Sequence, residues 1–376
     1  MKKKALQLAS VASMIDQFTI PNIKILQSLG YQVDVVADFT NPGTITNERA
    51  LDLRNRLKEI HVNVFDIAIP RSLNPNAIYS SYKAVRQLIK QEQYKIIHCH
   101  SPIGGAICRL AAKSERKNKC KVIYTAHGFH FYSGAPIKNW MVYYPIEKIL
   151  SRYTDVLITI NKDDYKLAKN KFNSLHTMYV PGIGVDIQKF TRSEIGRGKI
   201  RTELGIHDDQ IMLLSVGELN VNKNHINVIR ALKNLNNIVY VIVGKGDLHD
   251  ELAQEADKYS IDLRLVGYRT DVVDFYSAAD VFVLPSIREG LNVSLMEAMS
   301  SGLAATCGRI RGNIDLIKEP LFSPEKVDEI RKAVIEAIEH KEKLGSINKE
   351  KIKNFSTEIV NKKMINIYKN ASNLKR

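Results

Sequence analysis

The feature that most constrains this chain is a rhythm. Short apolar, β-branched runs alternate with longer amphipathic stretches, and the alternation occurs twice. In the first half the runs lie at 5–9, 33–37, 62–65, 95–99, 121–125, 156–160 and 177–180. Between them, 15–29, 77–91, 103–117 and 161–172 space their apolar residues as helices do. Strand, crossover helix and parallel strand is the arrangement such a rhythm encodes, because each helix covers a sheet face. The segment 181–206 breaks it. Pro181-Gly182-Ile183-Gly184 is turn chemistry, and Arg192 to Gly205 is polar with three glycines. A linker is expected there. Strands then return at 211–216, 238–243, 262–266 and 281–284, with helices near 222–233, 248–259, 270–278 and 293–301. From 325 onward the pattern is helical and charged. The expected fold class is α/β, with two Rossmann-like domains facing across a cleft. Domains are expected at 1–188 and 207–355, and a helix at 356–376 is expected to pack back on the first domain.

A length of 376 residues suits two cores. No run approaches the eighteen apolar residues a membrane-spanning helix needs. The stretch after Met1-Lys2-Lys3-Lys4 is too short and too polar for a signal peptide, and reads as a first strand. Cys99, Cys108, Cys120 and Cys307 form no C-x-x-C pair, which points to a reducing cytoplasm. The net charge of +15 is uneven: residues 1–190 hold 27 Lys and Arg against 14 Asp and Glu, whereas the rest hold 28 against 26. Either this is a solvated surface, or the first half meets an anionic partner, membrane lipid or nucleic acid. Arg109, Lys113, Arg116, Lys117, Lys119 and Lys121 form a basic stretch. Phe131, Tyr132, Trp140, Tyr143 and Tyr144 follow, mixed with Lys138 and Lys148. Aromatic residues beside basic ones suit a membrane interface; ordinary packing of a helix near 138–152 is the plain alternative.

Three strand ends carry the chemistry. Pro285-Ser286-Ile287-Arg288-Glu289-Gly290-Leu291-Asn292 follows an apolar strand and opens a helix that holds Glu297. The first turn of that helix offers backbone N–H groups to an anion, with a carboxylate on each side. A sugar–diphosphate–ribose has the matching layout. The spacing of Glu289 and Glu297 alone would fit a helix cap and a surface glutamate equally. Val216-Gly217-Glu218-Leu219-Asn220-Val221-Asn222-Lys223-Asn224-His225 ends another strand. Gly217 permits close backbone approach there, and Lys223 could meet a diphosphate. Val266-Gly267-Tyr268-Arg269 ends a third.

In this order, strand–G-x-x-x-x-x-K-N, V-G-Y-R and P-S-x-x-E-G-L-x-x-x-x-x-E-A-M resemble the retaining glycosyltransferases of family 4, which have the GT-B fold. Leu157–Asn161, Val180–Asp186 and Arg309–Leu316 resemble the branch that builds bacterial capsular and exopolysaccharides. The resemblance implies a role for each matching residue. Glu297 would hold ribose hydroxyls, and Glu289 the donor-sugar hydroxyls. Gly290, Leu291 and Asn292 would offer backbone contacts to diphosphate and sugar. Lys223 would neutralise the leaving β-phosphate, beside Gly217 and Glu218. Tyr268 and Arg269 would frame the base through backbone atoms. His127, in Tyr124-Thr125-Ala126-His127-Gly128, matches the family's strand-end histidine and would lie beside the reacting centre. The expected reaction moves a hexose or N-acetylhexosamine from a nucleotide sugar, UDP-linked, to a polyprenyl-diphosphate-linked glycan. The expected location is the inner face of the plasma membrane. No cofactor or metal is expected, since lysine and helix dipole stand in for one. His98, His100, His127 and His130 lack ligands at the usual zinc spacing.

Four departures accompany the match. Glu218 stands where many members have arginine. Asn292 replaces a proline, which would loosen its loop. The segment 317–325 lacks the usual glycine-rich turn and strand, so a small edge element should be missing. The loop Ala9–Asp16 lacks the family's glycine pair. Rival readings are a GT-B UDP-sugar 2-epimerase, a glycoside hydrolase using two glutamates, and a basic nucleic-acid-binding protein. The hydrolase needs carboxyls about 5–5.5 Å apart, closer than a helix start allows. No recognised motif supports nucleic acid.

Overall fold

The computed structural model describes residues 3–371 and 374. The chain divides into two units, residues 1–183 with 360–376 and residues 184–359. The first unit holds seven strands: β1 Lys3–Val11, β2 Tyr31–Asp38, β3 Asn63–Asp66, β4 Ile96–His100, β5 Lys121–Ala126, β6 Val156–Thr159 and β7 His176–Tyr179. Their order is β3-β2-β1-β4-β5-β6-β7, and every pairing is parallel. Helices cover both faces, so the central strands are buried on both sides rather than alternating buried and exposed. Strand β4 is buried at all five positions. That burial is what makes His98 and His100 on it notable.

The second unit repeats the plan with β8 Ile211–Val216, β9 Ile238–Val243, β10 Asp262–Leu265, β11 Val281–Leu284, β12 Ala304–Gly308 and β13 Leu321–Phe322. The order is β10-β9-β8-β11-β12-β13, again parallel. In each sheet the strand order reverses beside the first strand of its unit. The crevice outside the carboxyl ends of β1 and β4, or of β8 and β11, is where such sheets bind ligands. The helix Thr357–Ala371 returns to the first unit, where Val360, Met364, Ile367 and Tyr368 join the core under β1 and β2.

Several expectations need correction. An edge element is present: β13 pairs with β12, Cys307 opposite Leu321 and Gly308 opposite Phe322. Two residues are too few to show a strand period. The supposed loop Ala9–Asp16 is not a loop. Strand β1 continues through Val11, and helical turns start at Ala12. The close approach that a glycine pair would give there is made from the other side, where a Cβ on Gly104 would lie 2.8 Å from Ser10 Oγ. Part of the supposed linker is a helix. Ser193 caps a helix, Glu194–Leu204, by accepting from Gly196 N–H, and Gly205 ends it at φ +64°. Arg201 then ties that helix to the Ala278 carbonyl at 3.0 Å and to Asp280 at 3.3 Å.

The basic stretch is corrected too. Arg109 is fully buried in a two-bond pair with Glu147, at 2.8 and 3.1 Å. Arg116 grips Asp155 at 2.9 and 3.1 Å. Lys121 is buried and donates to the Leu374 carbonyl at 2.6 Å. Only Lys113, Lys117 and Lys119 of the six are exposed. Among the described residues, no helix is long and apolar enough to cross a membrane.

Candidate active site

The second unit brings the residues predicted after β8 and β11 together at the crevice between those strands, whereas Tyr268 and Arg269 follow β10. After β8, the turn from Gly217 to Asn224 is built by asparagines. Asn220 accepts the Lys223 N–H through its carbonyl at 3.1 Å and its side chain at 3.0 Å. Asn222 accepts the Ile287 N–H at 2.8 Å and donates to the Arg288 carbonyl at 3.1 Å, lacing this turn to the loop after β11. Asn224, at φ +56°, donates to the carbonyls of Pro285 and Pro324. The alternation Asn220, Asn222, Asn224 is the signal that could have marked this turn, since asparagine side chains close turns and tolerate left-handed backbone.

The turn delivers Lys223 to Glu289. Nζ lies 2.7 Å from Oε1, with the two side chains only 18% and 14% exposed. Gly217 makes room, since a Cβ there would lie 3.2 Å from Lys223 Cε. Gly244 lets the next strand end approach, since its Cβ would fall 1.8 Å from the Gly217 carbonyl oxygen. Glu218 points to solvent and accepts from Asn220 at 2.9 Å.

Asn292 does not loosen its loop. Its side chain accepts the Leu295 N–H at 2.9 Å and the Ser294 hydroxyl at 2.7 Å, capping the helix Val293–Ser300. A proline could not make these bonds. The Ser294 Oγ also lies 2.9 Å from the Val216 carbonyl, so its one proton is shared between the two acceptors and ties the helix start to the end of β8. Glu297, in the second turn, accepts from the Tyr276 hydroxyl at 2.8 Å. Burial holds the Glu297 carboxyl above the usual range, and the Tyr276 bond and the Lys189 charge oppose that only in part. Tyr276 was not foreseen. It sits on another helix, Val272–Ala278, and no local pattern links it to Glu297.

Tyr268 and Arg269 follow β10. The Tyr268 side chain is 72% exposed. The Arg269 guanidinium is held by Glu203 at 2.5 Å and Asp271 at 2.8 Å. The Gly267 carbonyl accepts the Gly244 N–H at 2.9 Å, tying the ends of β9 and β10 together.

In the first unit, β5 ends at Ala126, immediately before His127. Nε2 of His127 is 3.1 Å from Nδ1 of His100. His100 Nε2 is 3.1 Å from Gln7 Oε1, and Gln7 Nε2 donates to Tyr368 Oη at 3.2 Å. Tyr368 Oη lies 2.7 Å from His98 Nδ1, and His98 Nε2 lies 2.8 Å from Thr125 Oγ1. With Gln7 so oriented, each member donates to the next, from His127 to Thr125. His127 therefore carries its proton on Nε2 and presents Nδ1 as an acceptor. Burial pushes His98 down to about 3 and His127 down to about 4, and His100 also falls well below the ordinary value. The chain is uncharged at neutral pH. His130 stands apart, its ring 4.7 Å from Tyr143. Among the described residues, no three His, Cys, Asp or Glu side chains form a metal-ligating group.

Residues 196–354 match the model of "Glycosyl transferases group 1", and residues 7–161 match "Glycosyl transferase 4-like". EpsD of Bacillus subtilis is 35% identical over 327 residues, covering 85% of this chain and 82% of EpsD. The Escherichia coli UDP-Gal:alpha-D-GlcNAc-diphosphoundecaprenol alpha-1,3-galactosyltransferase is 28% identical, covering 83% of this chain and 80% of that enzyme. The crystal structure of Anabaena HepE in complex with UDP superposes with a TM-score of 0.77 at 18% identity, covering 99% of this chain and all of that one. The chain belongs to the family 4-like, group 1 glycosyltransferases and has their GT-B fold.

Proposed function

We propose that this glycosyltransferase moves a hexose or N-acetylhexosamine from a UDP-sugar to a polyprenyl-diphosphate-linked glycan, with retention of configuration, in cell-surface polysaccharide synthesis. The observation that carries the reading is the pairing of Lys223 and Glu289 beside a capped helix start. Glycosyl transfer builds negative charge on the leaving phosphate, so its need is charge stabilisation more than a strong base. An ammonium has three donors. Lys223 can keep Glu289 and still donate to a β-phosphate oxygen. Its position is thus set before substrate arrives. Backbone N–H groups of Gly290, Leu291, Asn292 and the first turn complete the anion seat. Glu289 accepts from sugar hydroxyls, Glu297 from the ribose, and Tyr268 and Arg269 frame the base. In the first unit, His127 offers Nδ1 as a hydrogen-bond acceptor to a substrate hydroxyl. No metal enters, because lysine and helix dipole already supply positive charge.

Two relatives support the choice of partners. The E. coli enzyme's name specifies UDP-galactose and a diphosphoundecaprenol-linked acceptor, and the HepE structure holds UDP. The place of action is the inner face of the plasma membrane, reached peripherally. The helix Ile137–Ser151 supports this. Ile137, Met141 and Ile149 on it are 77%, 72% and 55% exposed, with Lys138 and Lys148 beside them.

The test is transfer itself. Purified protein, a panel of UDP-sugars and a polyprenyl-diphosphate-linked monosaccharide should give one extended lipid whose new linkage keeps the donor's α anomer by NMR. An epimerised nucleotide sugar formed without acceptor, and no extended lipid, would instead establish the epimerase.

A further inference from the structure

Two cavities in the first unit meet at a shared wall. One is polar, of about 360 Å³, and opens at the carboxyl ends of β1 and β4; Ser10, Ser13, Gln17, Thr44, Arg71 and Ser101 line it. The other is apolar, of about 180 Å³, and lies along the helix Pro102–Ala111. Pro102, Ile103, His130 and Tyr143 line both. The helix explains the second cavity. Its Gly104, Gly105, Ile107, Cys108 and Ala111 are buried, while Pro102, Ile103, Ala106 and Leu110 form a face left partly or fully exposed. That apolar face is flanked by Leu73 and Ile78 on one side and by Tyr143 and Ile146 on the other. The one acid in the lining, Glu147, is already engaged by Arg109 and the Tyr124 hydroxyl. Beyond Ile146, the exposed Val142 and Ile149 continue the apolar strip.

We propose that this groove holds the first isoprene units of the acceptor lipid, with the diphosphate and glycan in the adjoining polar cavity. The inference rests on the lipid-linked acceptor reading above. A polar pocket adjoining an apolar groove fits an amphiphile with a charged head and a branched hydrocarbon tail. Charge fits as well. The charged side chain lining the polar cavity is Arg71, and Lys138 and Lys148 are exposed on the helix Ile137–Ser151, whereas the lining acid Glu147 is paired with Arg109. A free fatty chain or a second protein would leave the polar cavity and its arginine unused.

The test uses soluble probes on the full chain. Trp140, the single tryptophan, lies on the same helix as Tyr143 and Ile146, so its fluorescence reports binding. Farnesyl diphosphate should bind saturably and at least about tenfold more tightly than geranyl diphosphate or inorganic pyrophosphate, since each buried carbon adds about fourfold. Ala106→Phe fills the groove, and Leu110→Asp charges its rim. Each should abolish the chain-length preference while leaving stabilisation by UDP unchanged. Equal affinity for farnesyl diphosphate and pyrophosphate, or a preference that survives both variants, overturns the proposal. So does a response to phosphatidylglycerol vesicles with none to free farnesyl diphosphate, which would make the groove a bilayer contact. Transfer to a lipid-linked acceptor without chain-length preference would remove the groove alone. Chain-length-dependent binding without any transfer would remove the acceptor reading instead.

Discussion

Lys223→Ala is expected to lower kcat by about 10²- to 10³-fold, the usual effect of removing one group that meets developing charge in a reaction centre. The loss should fall on kcat more than on KM, because the charge on the departing phosphate grows along the reaction. Lys223→Arg should recover only part of the rate. The planar guanidinium is shaped for a two-bond pair with Glu289 and would stand differently toward the phosphate. The fold should persist, since Asn220, Asn222 and Asn224 close the turn through backbone contacts that do not involve the lysine side chain. Steady-state kinetics with an unchanged thermal transition would establish this. A variant with near-wild-type kcat would remove Lys223 from the chemistry.

The second large effect is on stability. Arg109 has no exposed surface. Its guanidinium makes two bonds to Glu147 and one to the Gly105 carbonyl at 2.9 Å, and lies 3.9 Å from the centre of the Tyr124 ring. Arg109→Ala leaves a buried carboxylate without its partner, and should cost about 3–5 kcal/mol in urea unfolding. Arg109→Lys should recover little, because an ammonium cannot make the planar pair and the third bond together. Replacing both partners, Arg109→Met with Glu147→Leu, should restore most of the stability. An exposed neighbour such as Lys113 should change stability by less than about 0.5 kcal/mol on removal. If Arg109→Ala and Lys113→Ala behaved alike, the pair would not be the internal tie described.

These two residues show what the sequence can and cannot announce. Lys223 was legible because its meaning is local. It follows a strand and a glycine, and its partner Glu289 lies on the loop after β11, the neighbouring strand of the sheet. Arg109 was misread because its basic neighbours at 113–121 suggested one surface, whereas the helix Pro102–Ala111 turns Arg109 inward, Arg116 reaches Asp155 and Lys121 is buried at the start of β5. Its partner Glu147 lies 38 residues away. The hydrogen-bond chain behind His127 was hidden for the same reason. Gln7 and Tyr368 stand 361 positions apart and meet only because the last helix returns to the first sheet. Strand β13 was missed through brevity. Asn292 was misread because a proline rule was applied to a position where the side chain serves as a cap.

The most direct measurement is nucleotide binding, by thermal shift and calorimetry, on wild type and Glu297→Gln. UDP at about one hundred times its Kd should stabilise the wild type by about 2.7 kcal/mol, several degrees in Tm, and GDP and ADP should do much less. On the proposed reading, the carboxylate of Glu297 accepts the ribose hydroxyls. Burial raises its pKa, so UDP affinity should fall as pH drops through a range above that of an ordinary glutamate. Glu297→Gln should bind more weakly and lose this acid limb. Equal shifts from UDP, GDP and ADP, or an acid limb that persists in Glu297→Gln, would contradict a UDP-sugar site built on Glu297.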